Sequence, residues 1–282
     1  MGTEALGREE QGRVTVEAER AEAAALASLM EAPPAGVRRA LGIRLYRDFD
    51  VVGAFVASVD ALSLNRVVGL GVGVSATEAA LDAALDAART AGVKRLMVQV
   101  PPGASPPALR QWLEARGAAL HNRWVRLWRS TATPLAPTPT TPLRVERVGP
   151  DHADEFALVA RVGFGMPASL DPWLAASVGH PGWEHFAAWD GAQLVATGAM
   201  FLAGDVAWFG LAATLDSHRG RGAQSALVTR RFLAARESGA RWVVSETAEQ
   251  RPDHPAPSYR NLLRLGFAEA YLRENLVVTL QG

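Results

Sequence analysis

The residues whose types and spacing best suit chemistry are Arg219-Gly220-Arg221-Gly222-Ala223-Gln224-Ser225. They follow an apolar, strand-like run from Val206 to Leu215 and open a helix-forming run. The first amides of a helix have no partner inside it and present partial positive charge outward. Glycines at 220 and 222 let that backbone approach a ligand closely, and the two arginines add charge-assisted donors. Such a turn can hold a phosphate or diphosphate at a helix N-terminus. The plain alternative is a solvated basic turn before an ordinary helix. A Walker loop, GxxxxGK[ST], is absent, and so is a GxGxxG fingerprint with its acidic partner on a second strand.

These residues sit in a strand, Gly-rich turn, helix, strand sequence. The helix carries Leu227, Val228, Phe232, Ala234 and Ala235 on one face, and WVVSE, ending at Glu246, is the next strand. Arg231 interrupts the apolar face and is expected to snorkel or pair at its edge. Upstream, LRVERV reads as a strand and DHADEFALVARVGF as a helix capped by Asp151. DPWLAASVG reads as a short helix, and WEHFAAWDG and QLVATGAMFLAG as strands meeting at an Asp190-Gly191 hairpin turn. SYRNLLRLGF gives a short helix ending in Gly-Phe, and AYLRENLVV a last strand.

Residues 131–142, TATPLAPTPTTP, read as an extended linker between two halves of similar length. The first half repeats the plan. RVTVE is expected as a strand, EAERAEAAALASLMEA as a helix stopped by Pro33-Pro34, and DVVGAFVAS and LNRVVGLGV as strands. TEAALDAALDAARTAG is a helix with Leu81, Leu85 and Ala88 on one stripe, followed by strand VKRLMVQV, helix SPPALRQWLEARG and strand AALHNRWVRLWRS. AGVKRLMVQV lines up with SGARWVVSET, and LEARGAAL with LLRLGFAEA, which points to a tandem duplication. The first half has GVGVSATE where the second has RGRGAQ. Ser75 and Glu78 read as a capping box that places a carboxylate where an anion would sit, with no arginine at hand.

Composition narrows the function classes. The chain has 282 residues, 49% of them hydrophobic, so it can bury an ample core in one large or two medium domains. With 0 Cys there is no disulfide, thiolate metal site or cysteine nucleophile. Lys+Arg and Asp+Glu balance at 29 each, which argues against nucleic-acid or acidic-membrane binding. No apolar run approaches membrane-spanning length, and the polar start MGTEALGREEQGR lacks a secretory core and fits no myristoylation pattern. A cytoplasmic location is the expectation. His152, His180, His185 and His254 share no metal-ligand spacing, and no metal is expected.

The segment Arg219 to Gln224 resembles motif A of the GNAT N-acetyltransferase superfamily, [Q/R]-x-x-G-x-[G/A], with Gln224 where the family most often has Gly or Ala. SYRNLLRLGF, Ser258 to Phe267, is similar to the family's following Asn/Ser helix and Gly-Phe pair. The resemblance covers 143–282. It implies an α/β fold of two tandem domains, each a mixed twisted sheet flanked by helices. Residues 1–130 would be a degenerate copy and 143–282 the acyl-CoA-binding copy. It also implies acetyl-CoA, or another short acyl-CoA, as co-substrate, and direct acyl transfer to an amine in a ternary complex, a small-molecule amine being the first choice with an amino acid, an antibiotic and a protein N-terminus all open. Leu211, Ala212, Ala213 and Thr214 match the strand end that pairs with the pantetheine arm, and Arg219 to Ser225 the tract that holds the diphosphate. Glu246 matches a general-base position, with a turn cap or an arginine partner as its alternative role. Leu262 occupies the family's tyrosine position, so Tyr259 and Tyr271 are the nearby candidates for the acid, packing being the alternative for each. Asn261 is a candidate to hydrogen-bond cofactor or substrate, or to cap. Asp216 reads as a turn cap and His218 as exposed beside the cofactor. Phe164, Trp173 and Trp183 fall where the acceptor site is roofed, or else pack the core. A non-catalytic acyl-CoA-binding regulator is the alternative reading, and a purely structural interaction module the third.

Overall fold

The computed structural model describes residues 8–136 and 140–280; the polar start at 1–7 and linker residues 137–139 lie outside the described residues. In chain order the elements of the first half are α1 (Arg8–Glu31), α2 (Ala35–Leu41), β1 (Ile43–Asp48), β2 (Val51–Val56), β3 (Arg66–Val68), α3 (Glu78–Thr90), β4 (Arg95–Val100), α4 (Leu109–Ala115) and β5 (Ala119–Ser130). Then come β6 (Arg144–Val148), α5 (Ala153–Phe164), α6 (Asp171–Ala175), β7 (Trp183–Asp190), β8 (Gln193–Ala203), β9 (Val206–Thr214), α7 (Ala223–Glu237), β10 (Trp242–Ala248), α8 (Pro257–Arg264) and β11 (Ala268–Thr279). Among the described residues no helix is long and apolar enough to cross a membrane.

The chain forms two compact units, one of residues 8–126 with 270–280 and one of Leu127–Glu269. In the N-terminal unit the strands run β1-β2-β3-β4-β11, with the first part of β5 beside β11. The last strand therefore belongs to this unit, pairing antiparallel with β4 from Glu274↔Val100 to Thr279↔Arg95. The C-terminal unit runs from the end of β5 through β10-β9-β8-β7-β6. Each unit holds the same core pattern. An antiparallel pair (β2/β3, β8/β9) leads through a helix (α3, α7) to a parallel strand (β4 on β3, β10 on β9). The strand–helix–strand order read from the sequence is realised here as a parallel crossover.

Several local expectations are corrected. RVTVE lies inside α1, not in a strand. Val14, Ala18, Ala21 and Ala25 are buried at helical spacing, so packing of that face overrides the β-preference of Val14, Thr15 and Val16. IRLYRD forms β1, and Ala35–Leu41 forms α2 ended by Gly42 in the left-handed region; neither was expected. Asp151 does not cap α5, because it lies in a 3-10 turn and the capping position falls to His152 without a side-chain bond. At α3 the cap is Thr77, which accepts from Ala80 N–H at 3.1 Å, while Ser75 meets the Ser105 hydroxyl and Glu78 pairs with Arg116.

The N-terminal unit also buries charge. Glu19 and Glu22, both fully covered on α1, meet Arg66, Arg126 and Arg273. Burial opposes ionisation of Glu22, yet Arg273, Arg126 and Arg66 together hold its carboxyl well below the usual range. A depressed carboxyl stabilises the fold fully above the unfolded value near 4.5 and loses that contribution as pH falls through the folded value. Glu22→Gln removes one of the two carboxylates that this buried arginine cluster shares, leaving Glu19 as the other, and is expected to cost about 3–5 kcal/mol. Urea denaturation checks this. The gap between wild type and variant should be full at neutral pH and shrink in acid, and a pH-independent gap would contradict the assignment.

Candidate functional site

The C-terminal unit contains an open cleft of about 810 Å³. Its wall begins in the sheet. β10 pairs with β9 only from Trp242↔Val206 to Ser245↔Phe209, after which the two strands part. Beyond the parting, β9 carries a shift in its register with β8 between Thr197 and Ala199, and Leu211 adopts φ 49°, a left-handed conformation uncommon for a branched side chain. Gly210 is required next to it, since a side chain there would run into the Trp208 ring. Ala212, Ala213 and Thr214, at the end of β9, line the cleft.

The floor is the start of α7. Arg219, Gly220, Arg221, Gly222, Ala223, Gln224 and Ser225 all line the cleft. Gly220 and Gly222 have φ of 78° and 83°, so the turn needs both. Gly222 occupies the cap position with no side-chain bond, and the first turn of α7 holds no acidic residue. The Ala226 amide is the first to bond back, to Gly222 O at 3.1 Å. The amides of Ala223, Gln224 and Ser225 are thus first-turn donors with no helical acceptor, a geometry suited to an anion.

The two arginines are engaged by side chain. Arg221 pairs with Asp190 at 2.5 Å, and that guanidinium first of all holds the Asp190 carboxyl below its usual range. Arg219 pairs with Asp216 at 2.7 Å on the exposed rim. Thr141 donates to Arg221 O at 2.7 Å, so the linker's end fixes the turn from outside. His218, expected exposed, has a side chain only 13% accessible and lies 3.3 Å from Asp190. The hairpin residue Asp190 read as a turn former alone; its contact with the loop is a tertiary pairing that sequence spacing does not disclose.

Asn261 is buried on α8 and ties that helix to the loop. It accepts from the Ser225 hydroxyl at 2.7 Å and from Arg264 at 3.3 Å, and donates to the Gln224 side-chain oxygen at 3.2 Å. The Gln224 side chain is thus held by α8. Glu246 is the first β10 residue beyond the last paired residue, Ser245, and is half-buried.

Neither tyrosine joins this group. Tyr259 donates its hydroxyl to Glu269, which chiefly pushes its pKa up to about 12, away from a useful acid. Tyr271 belongs to the N-terminal unit, buried and donating to Glu19; burial, then that carboxylate, push its hydroxyl well above the usual value. Trp173 and Trp183 are core residues, Trp183 packing on His185, Phe201 and Trp208, whereas Phe164 is 44% exposed. Among the described residues no cluster of three or more His, Asp or Glu could hold a metal ion.

Arg231 departs most from expectation. It neither snorkels nor pairs at an edge: it is 2% exposed and lines the cleft. It donates to Leu227 O (3.2 Å), Ala199 O (3.1 Å) and Gly210 O (3.5 Å), and its guanidinium lies 4.6 Å from the Phe209 ring centre. Burial lowers its pKa to about 9. Its interruption of an otherwise apolar helix face was the signal the sequence carried.

No family profile and no curated protein matches the sequence. Solved structures do match it. One is a GCN5-related N-acetyltransferase from Kribbella flavida, at 20% identity and TM-score 0.60, covering 90% of this chain and 96% of that one. Another is a tandem GNAT protein from the clavulanic acid biosynthesis pathway, at 19% identity and TM-score 0.58, covering 98% and 97%. A GCN5-related N-acetyltransferase from Sphaerobacter thermophilus matches at 15% identity and TM-score 0.59, covering 82% and 81%. At these identities the likeness establishes the fold, and the chain has the tandem GNAT fold.

The loop geometry is testable by itself. A Cβ at Gly222 would adopt an unfavourable left-handed φ and meet Thr141 Cβ at 3.2 Å. Gly222→Ala is expected to lower stability by about 1–2 kcal/mol and so to lower Tm by a few degrees. An unchanged melting temperature would contradict the described turn.

Proposed function

We propose that the C-terminal unit is an N-acyltransferase that moves an acetyl or other short acyl group from coenzyme A to an amine of a small molecule. The observation that carries this reading is the parting of β9 and β10 directly beside a helix start whose donors lack acceptors. A thioester of coenzyme A fits that pair of features, because it combines a diphosphate with an extended arm rich in amides. Bound there, it would supply an activated acyl carbon.

The chain's own residues then do the following. The amides of Ala223, Gln224 and Ser225 hold the diphosphate, with Asn261 and Asp190 keeping the loop in shape rather than touching the ligand. The backbone from Leu211 to Thr214 has left its β10 partner and is open to the arm. Glu246, at the mouth of the split, takes through water the proton that the amine nitrogen loses as the C–N bond forms. The C–S bond breaks, and the departing thiolate takes a proton from solvent, since both candidate tyrosines are occupied elsewhere.

We assign the N-terminal unit no cofactor. Its corresponding turn is filled: Ser105 accepts from the Ala76 amide at 2.7 Å and donates its own amide to Gly71 O at 2.9 Å, and Thr77 caps α3. Against Gly73 stands the Arg20–Asp50 ion pair. This supports a degenerate copy beside an equipped one.

Calorimetry with acetyl-CoA is expected to give one site per chain, weakened in Arg219→Ala/Arg221→Ala; two sites would contradict the role given to the N-terminal unit. Glu246→Gln should lower turnover by about 10²–10⁴-fold while affinity for acetyl-CoA holds. Full turnover in the variant would remove Glu246 as the base. Binding without turnover on any amine in the wild type would favour the non-catalytic regulator.

A further inference from the structure

We propose that Arg231 is a reader of acyl-group charge, selecting thioesters whose short acyl chain ends in a carboxylate. The inference rests on the reading of the cleft as a coenzyme A thioester site and names the class of acyl donor it prefers.

The guanidinium is in a prepared place. It is presented by the same helix whose first turn carries the phosphate-binding donors, eight residues from Ala223 and so roughly 12 Å along the axis at 1.5 Å per residue. The residue opposite it is Gly198, where any Cβ would come within 2.9 Å of the Arg231 Cζ and 3.2 Å of Nη2. The missing side chain at 198 is what admits the group. Phe209 covers it, and three backbone carbonyls accept hydrogen bonds from Nε and Nη1. Among the described residues nothing accepts from Nη2, and no carboxylate pairs with the group. Nη2 is not sealed away, and the residue lines the cleft.

A cation withdrawn from water without a counter-ion is costly. A structural need to satisfy the carbonyls of Ala199 and Gly210 could be met by a neutral donor. An arginine meets it while keeping a charged, directional donor aimed at the guest, which suits a carboxylate in a water-poor site. The carboxylate belongs to the donor's acyl end by this geometry, since the diphosphate tethers that molecule to the start of the same helix and the cleft runs from there to Arg231.

The test uses the whole 282-residue chain and calorimetric titration with matched pairs: malonyl-, succinyl- and glutaryl-CoA against propionyl-, butyryl- and acetyl-CoA. At least one dicarboxylic thioester is expected to bind on the order of 10- to 100-fold tighter than the neutral ones, the range of a charge-assisted hydrogen bond. In Arg231→Met that ratio should fall to about one, and Arg231→Lys, which keeps charge but not the fork, should retain part of it. If the wild type binds neutral and dicarboxylic thioesters equally, the proposal is overturned while the coenzyme A site stands. A preference that survives in Arg231→Met also overturns it. If no thioester and no free coenzyme A binds, the functional reading fails and this inference with it. The wild-type comparison decides the matter even where a variant does not fold.

Discussion

Backbone hydrogen-bonding groups that lose their regular partners must find others, and the C-terminal unit is arranged around that constraint. Where β9 leaves β10 and bulges against β8, carbonyls and amides are released together. The carbonyls are met from within. Ser245 donates to Phe209 O at 3.4 Å, Arg231 to Ala199 O and Gly210 O, and Thr197 to Leu211 O at 3.0 Å. At the loop, Thr141 serves Arg221 O. These acceptors are covered by side chains, while the first-turn donors of α7 have no cap. The site thus offers donors and withholds acceptors, which is the polarity an anionic or carbonyl-rich ligand requires.

The same crossover in the N-terminal unit shows how little must change to close such a site. There the turn donors meet Ser105 and the Thr77 side chain, and the glycines accommodate protein atoms instead of leaving space. The unit spends its polar side chains in its interior, where Glu19, Glu22, Arg66, Arg126 and Arg273 form a buried charged network joined by the Tyr271 hydroxyl. Gln99 links Arg66 to Asn275, and Asn275 to Asn122, extending that network across the sheet. Such a network fixes one arrangement of β3, β5, β11 and α1, since each misplacement would strand a buried charge.

Much of this was legible in the sequence wherever chemistry is local. The order strand, RGRG turn, helix, strand located β9, α7 and β10, because apolar runs and glycine punctuation report backbone conformation directly. The substitution of GVGVSATE for RGRGAQ marked the unlike loop, although the cap proved to be Thr77 and not Ser75, two residues away. What stayed hidden depended on distant partners. No spacing announces that Asp190 holds Arg221, that Asn261 clasps Gln224 and Ser225, or that Tyr271 donates to Glu19 inside the N-terminal unit. In RVTVE three β-branched residues favour a strand locally, whereas Val14 lies on the buried face of a long helix, and the helix prevails. Arg231 was noticed as an interruption, but its burial follows from Gly198 and Phe209, which lie on strands distant in sequence.

In the proposed function the uncapped amides at the start of α7 anchor a coenzyme A ligand. Hydrogen–deuterium exchange of the full chain with and without coenzyme A, resolved to 218–226, tests it most directly. Slowed exchange at Ala223, Gln224 and Ser225 is expected on ligand addition, with no matching change at 75–80 in the N-terminal unit. Exchange at 223–225 that is indifferent to saturating coenzyme A, or protection confined to 75–80, would contradict it.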